Sequence, residues 1–276
     1  MIEKFRKHLK ECSKSQNTID TYIGKIRQYY KWYNGSFGAS PPMLYRANIL
    51  DYISYLHNIK KCKGKTLNNH LAALTSFNLF LIENKVQEEI VITKRDYRKI
   101  QLNYASPSTV SKQEVEALRQ QVLVNQGKRD YAIVTIMAYG GLRISEVLGL
   151  NLSSINLTSR EMVVKGKGNK ERLVFINDKI VNSVSEYLKE RKSESTLLFV
   201  SRQGGQIHRS VINKIFNTYS DHITPHTLRH FFCSSAIEAG YSIAEVASQA
   251  GHSNIQTSLL YLNPTREQMK EKSNRL

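Results

Sequence analysis

Apolar positions recur at helical spacing through most of this chain, and the places where the recurrence stops divide it into segments. Ile2, Phe5 and Leu9 mark a first short helix, and Ile19, Tyr22, Ile23, Ile26, Tyr30 and Tyr33 mark a longer one. Asn17 can cap that second helix, and the glycine- and proline-bearing residues 35–42 break it. Asn48 can cap a third helix carrying Ile49, Tyr52, Ile53 and Leu56, while Leu67, Leu71, Leu74, Phe77 and Leu81 trace a fourth. Four amphipathic helices suffice for a bundle, so residues 1–93 read as a small helical domain. From Ile90 the periodicity lapses, Lys94, Arg95, Arg98 and Lys99 cluster, and Ser106-Pro107-Ser108 interrupts any helix, which marks 94–110 as a linker.

Ser111 followed three residues later by Glu114 has the form of a capping box, so a second domain, 111–276, begins there. An apolar segment over residues 131–139 ends at Gly140-Gly141, and a new helix starts around Leu142-Arg143-Ile144. Two β-rich runs around a Gly/Asn turn, residues 162–176, form a hairpin with Lys167 near its tip. Thr224 can cap a helix that has Pro225 at its first position, which puts His226 and Arg229 three apart on one face. Ser242 caps a further helix that Gly251 ends, and Ser253 with Gln256 opens one that carries Leu259, Leu260 and Tyr261. The expected fold class is mainly α with a small β-hairpin or sheet, in two domains.

Charge narrows the partner. Lys and Arg number 40 against 23 Asp and Glu, a formal charge of +17, which suits nucleic acid or an acidic membrane surface. Basic side chains outnumber acidic ones 18 to 8 over residues 1–104 and 22 to 15 over the remainder, so both halves can meet the polyanion. No apolar run approaches the roughly 18 residues of a membrane span and no apolar leader follows the start, so a soluble, cytoplasmic protein without membrane contact is expected. Cys12, Cys62 and Cys233 are odd in number and lack CxxC spacing, which argues for reduced, buried thiols. Lys60, Lys61, Lys63 and Lys65 crowd the connection between the third and fourth helices. Such a run is commonly just solvated, but in so basic a chain it is a candidate for phosphate contacts that position a protein without reading sequence.

Taken singly, the remaining polar residues are ambiguous. Arg143 could be a side chain snorkelling at a helix start, Lys167 a solvated hairpin tip, and Tyr261 an ordinary half-buried tyrosine. His222, His226 and His230 recur every four residues with Cys233 following, but Pro225 leaves His222 before the helix and no HExxH supplies a base. No metal site is expected.

Together they are informative. Arg143 in GLRISEVLGL, Lys167 in GKGNKER, the HTLRH box at 226–230, AGHSNIQTS around His252, and Tyr261 nine residues later resemble the tyrosine recombinase (phage integrase) family in order and spacing. The helical first half is similar to that family's SAM-like core-binding domain. The resemblance implies a two-domain clamp on double-stranded DNA, acting as a homo-tetramer on two recombination sites. It makes Tyr261 the nucleophile of a 3′-phosphotyrosyl intermediate, with His226 assisting deprotonation and Arg143, Arg229 and His252 bracing the phosphate. Lys167 becomes the general acid and Glu146 a supporting residue that orients its partners; Glu146 could equally be a plain i,i+3 partner of Arg143. No cofactor is implied and no accessory protein is specified.

Those residue types fit that chemistry. A tyrosine phenolate stores the phosphodiester bond energy covalently and leaves tolerably in the reverse step, and guanidiniums stay charged while bracing a phosphorane-like transition state. Ala250 stands where many family members have leucine, and Leu262-Asn263-Pro264 where threonine and histidine are common. The chain also begins almost at the core-binding helices, which favours a compact Xer-like recombinase or a transposon resolvase. The segment from Pro264 would dock on a neighbouring protomer or fray as chain ends do. Two other readings stay open: a type IB topoisomerase-like enzyme, and a non-catalytic architectural DNA-binding protein.

Overall fold

The computed structural model describes residues 1–100, 110–166, 169–251 and 273–274. The chain divides into two compact units, Met1–Leu102 and Asn103–Leu276.

In the first unit, α1 (Ile2–Glu11), α2 (Gln16–Phe37), α3 (Arg46–Ser54) and α4 (Gly64–Glu83) follow the expected periodicity, and α3 runs on into a π-helical turn, Tyr55–Ile59. Their apolar faces, from Phe5 through Ile23, Ile49 and Leu67 to Phe77, close one core. Two starts differ from the sequence expectation. Ser15, whose Oγ accepts the Thr18 N–H, caps α2 two residues before Asn17, and Gly35 lies inside that helix, which Gly38 ends at φ 74°. α3 begins at Arg46 and not after Asn48, because the start is fixed by a tertiary contact. The Arg46 guanidinium forks onto Asp96 at 2.6 and 2.7 Å and also donates to the Val91 carbonyl.

That contact bears on the stretch expected to link the domains. Val91 and Ile92 join the first unit's core, Thr93 and Asp96 cap a short 3-10 turn, and the Arg98 N–H donates to Asn68 Oδ1 at 2.9 Å. Residues 94–98 are thus packed onto the helices, and residues 101–109 lie outside the described part.

The second unit holds α5 (Lys112–Gln126), α6 (Lys128–Gly140), α7 (Ile144–Leu148), α8 (Asp178–Glu190), α9 (Arg209–Tyr219), α10 (Pro225–Glu238) and α11 (Ile243–Ala250). An antiparallel sheet, β1 (Ile155–Asn156), β2 (Glu161–Lys165) and β3 (Glu171–Phe175), lies between α7 and α8 in sequence. Helix α6 is buried along most of its length because α5, α8 and α10 all pack on it. Met162 faces Val174 across the β2–β3 pair on the buried side of the sheet. The capping box of Ser111 and Glu114 and the Pro225 start of α10 form as expected. Strand β1 is too short to leave a periodic signal. Helices α8 and α9 were not anticipated, although Ile180, Val184 and Tyr187 keep helical spacing.

The expectation of three buried thiols holds for Cys233 alone; Cys62 is half-buried, and Cys12 is exposed because it terminates α1 at the surface. No helix among the described residues is long and apolar enough to cross a membrane.

A buried pair in the first unit makes its stability pH-dependent. Tyr52 Oη lies 3.1 Å from His70 Nδ1, and burial, aided by the Lys25 charge, pushes the His70 imidazole down to about 4. The unfolded chain then takes up a proton near 6.5 that the folded unit refuses until about 4. Stability is fully present above pH 6.5 and declines through that window by up to about 1.4 kcal/mol per pH unit. Trp32, the single tryptophan, sits 4.9 Å from the Tyr52 ring and reports on this unit. Urea melts followed by its fluorescence at pH 7 and pH 5 are expected to differ less in His70→Gln than in the unsubstituted protein.

Candidate active site

Two glycines let the site form. Gly141 ends α6 at φ 66°, a conformation that favours glycine, and a Cβ there would lie 2.2 Å from the Phe232 ring. The turn is therefore flush against α10 and delivers Arg143 as the extended residue that starts α7. Gly251 ends α11 at φ 67°, where a Cβ would lie 2.6 Å from the Arg172 guanidinium carbon.

Around these turns three guanidiniums address three successive carbonyls. Arg172 Nε donates to the Gln249 carbonyl at 3.1 Å, Arg229 Nη1 to that of Ala250 at 2.6 Å, and Arg143 Nη2 to that of Gly251 at 3.0 Å. Because the last carbonyls of a helix lack intrahelical partners and carry partial negative charge, cations are favoured there. Arg229 Nη1 also donates to the Gly141 carbonyl at 2.6 Å, joining the ends of α6 and α11.

Glu146 balances this charge. Its Oε1 accepts from Arg143 Nη1 at 2.9 Å and Arg172 Nη1 at 3.1 Å, while its Oε2 accepts from the Arg143 backbone N–H and Arg172 Nη2, both at 2.9 Å. Burial alone would raise the Glu146 carboxyl, but the Arg172 hydrogen bonds, the Arg143 N–H and the two positive charges hold it below its ordinary value. Burial, then the neighbouring Arg143, pushes Arg229 down to about 10, so it remains a cation at neutral pH. Arg229 is 6% exposed, and its Nη2 has no hydrogen-bond partner among the described residues. A buried guanidinium nitrogen without a partner is costly, and an anion would satisfy it.

His226 and His230 stand one turn apart on α10 with their Nε2 atoms 2.8 Å apart, so one nitrogen carries the shared proton and the other accepts it. Burial, with the His226 and Arg229 charges beside it, pushes His230 down to about 4. His222, outside the helix, contacts Glu114 Oε1 at 3.0 Å instead of joining them. No group of three or more His, Cys, Asp or Glu side chains is arranged to hold a metal among the described residues.

Of the residues singled out in the sequence, Arg143, Glu146 and Arg229 meet, and His226 lies on α10 one turn before Arg229. Lys167, His252 and Tyr261 lie outside the described residues. Lys60, Lys61, Lys63 and Lys65 belong to the first unit and are all exposed; Lys65 is in the first turn of α4, and Lys60 Nζ stands 5.8 Å from the Tyr55 ring centroid. Two residues of the network had no sequence signal beyond polarity. Arg172 on β3 is one, and Gln249 is the other: its amide donates to the Phe175 carbonyl at 2.6 Å and accepts the Phe175 N–H at 3.2 Å, stitching α11 to β3. An arginine alternating with apolar strand residues reads as surface until the partner helix is known.

Comparison with known proteins decides the lineage. The phage integrase family profile matches residues 108–268, and the profile of the phage integrase N-terminal SAM-like domain matches residues 1–88. The chain belongs to the phage integrase family. It is a tyrosine recombinase, as the motifs implied. The chain is 46% identical over 278 residues to the TnP I resolvase of Bacillus thuringiensis, covering 99% of this chain and 98% of that one. Over 216 residues, 72% of this chain and 70% of the relative, it is 35% identical to tyrosine recombinase XerC of Haemophilus influenzae strain PittEE. The recombinase also shares its fold with the Tn1549 transposon integrase solved with transposon right end DNA, at TM-score 0.73 and 18% identity over 99% of this chain and 98% of that one. XerH, solved bound to its difH substrate, matches at TM-score 0.67 and 21% identity over 92% and 78%.

The carboxylate at the centre of the recombinase's network gives a stability prediction. Glu146→Gln keeps the shape but leaves Arg143 and Arg172 without their shared counter-charge. Breaking such a pair is expected to cost about 3 kcal/mol, measured as the shift in a urea melt of the second unit followed by circular dichroism.

Proposed function

We propose that this recombinase is site-specific, cutting and rejoining DNA through a covalent 3′-phosphotyrosyl bond at Tyr261. The observation that carries this reading is the buried Arg229, its Nη2 without a hydrogen-bond partner among the described residues, beside Arg143 at the helix end that precedes His252 in sequence. Two cations of that kind suit one anion of a phosphodiester's size, held by fork-shaped hydrogen bonds.

In the proposed step the Tyr261 hydroxyl oxygen attacks phosphorus and the bond from phosphorus to the 5′ oxygen breaks. The phenol, with an ordinary pKa of about 10, gives its proton to His226 or to solvent. Lys167 gives a proton to the departing 5′ oxygen. Arg143, Arg229 and His252 neutralise the charge that grows on the non-bridging oxygens. Attack by a 5′ hydroxyl on the tyrosyl phosphate reverses every transfer, so no external energy source is consumed.

Double-stranded DNA as the partner is supported by the +17 charge and by the DNA held in the Tn1549 integrase and XerH structures. We assign Lys60, Lys61, Lys63 and Lys65 to phosphate contacts, where the N-terminus of α4 adds its own positive field. The working assembly is a homo-tetramer on two sites, with the segment after Pro264 docking between protomers.

Tyr261→Phe is expected to abolish covalent adducts on a nicked suicide substrate while leaving affinity for the same DNA unchanged in a gel shift. Adducts formed by the Phe variant would overturn the assignment of the nucleophile. Relaxed circles without recombinant products would mark a topoisomerase-like enzyme. Replacing the four lysines of residues 60–65 by glutamine is expected to flatten the dependence of log K on log salt by about 0.9 for each phosphate that is no longer neutralised.

A further inference from the structure

The hairpin that carries Lys167 is anchored at two levels. Toward its base, the Gln249 amide takes both the N–H and the carbonyl of Phe175. Toward its tip the strands pair Val164 with Arg172 and Lys165 with Glu171, and the Gly166 N–H donates to the Lys170 carbonyl at 2.8 Å. Lys165, Lys170 and Glu171 are exposed, whereas the Arg172 side chain is 15% exposed. Among the described residues near the tip, Arg172 is thus the charged side chain that reaches into the body of the unit, beside the buried Val164.

Its reach is specific. The two Nη atoms grip both oxygens of Glu146, and Nε takes the Gln249 carbonyl. Glu146 in turn holds the backbone and side chain of Arg143. One guanidinium therefore fixes the tip-proximal half of the hairpin to α7 and to the end of α11, the two elements that orient Arg143 and Arg229. Gly251 keeps the space for it, since a Cβ there would collide with the Arg172 guanidinium.

We propose that Arg172 is a positioning residue for the general acid, holding the paired strand ends that flank Lys167 in sequence in register with Arg143 and Arg229 on the scissile phosphate. The inference rests on the role of Lys167 given above. A lysine at 172 would keep one cation but lose the three-donor fork, so register would be only partly held.

The test compares rates of covalent adduct formation on ordinary DNA and on DNA whose scissile 5′ bridging oxygen is replaced by sulfur. A thiol with a pKa of about 8.5 leaves as thiolate without being given a proton, so a defect in acid delivery disappears on it. Arg172→Gln is expected to slow adduct formation on ordinary DNA about 100-fold, within the range general acid catalysis supplies, and to regain the unsubstituted rate on the sulfur substrate. Arg172→Lys is expected to show a smaller defect, relieved in the same way. If Arg172→Gln does not melt cooperatively or does not bind DNA, Arg172→Lys carries the comparison. Lys167→Ala is the control. If sulfur relieves Lys167→Ala but not the Arg172 variants, the positioning role is overturned and the acid stands. If sulfur does not relieve Lys167→Ala, the acid assignment falls and takes the positioning role with it. Arg172 variants that cleave ordinary DNA at the unsubstituted rate also overturn the proposal.

Discussion

The site depends on one buried carboxylate. Glu146 is 7% exposed and accepts four N–H bonds, two from the Arg143 residue and two from the Arg172 fork. Without a negative charge there, Arg143, Arg172 and Arg229 would place three cations around the end of a single short helix. With it, the cluster tolerates their proximity and keeps each guanidinium in a fixed orientation. The i,i+3 spacing of Arg143 and Glu146 is local, but what gives the pair its energetic weight is the third partner arriving from β3.

Backbone conformation makes that crowding possible. At Gly141 and Gly251 the chain turns with positive φ, and in both places a side-chain carbon would occupy space taken by Phe232 or Arg172. The helix ends these turns create expose the carbonyls that the arginines cap. The guanidiniums are thus held by the protein's own backbone, and Arg229 keeps one nitrogen uncommitted among the described residues.

The first unit is built differently. Its core is aromatic and aliphatic, with Tyr52 in edge contact with Tyr29 and tilted against Trp32 and with Phe77 edge-on to Phe5, and its lysines at 60–65 lie outside. Arg46 and Asp96 tie the chain after α4 back onto the bundle, so residues 90–98 belong to that unit, with Val91 and Ile92 in its core. The exposed Lys60, Lys61, Lys63 and Lys65 lie before and at the start of α4.

Much of this was legible in the sequence. Helix periodicity, the caps at Ser111, Thr224 and Ser242, and the Gly251 stop are local signals, decided by residues a few positions apart, and the structure realises them. The family, too, could be read from the order of Arg143, Lys167, His226, Arg229, His252 and Tyr261, because motif order survives in one dimension. The cap of α2 moved from Asn17 to Ser15, and α3 started at Arg46, since several polar residues near a helix start compete and tertiary contacts choose among them. Arg172 and Gln249 were invisible for a deeper reason. Arg172 meets Glu146 from 26 residues away and Gln249 from 77, Gln249 meets Phe175 from 74, and an arginine on a strand or a glutamine in a helix has no pattern of its own. Sequence alone determined most of the helices and the family, because both are written in local spacing and motif order; only the packing of β3 against α11 and α7 decided that Arg172 and Gln249 join the cluster of Arg143, Glu146 and Arg229.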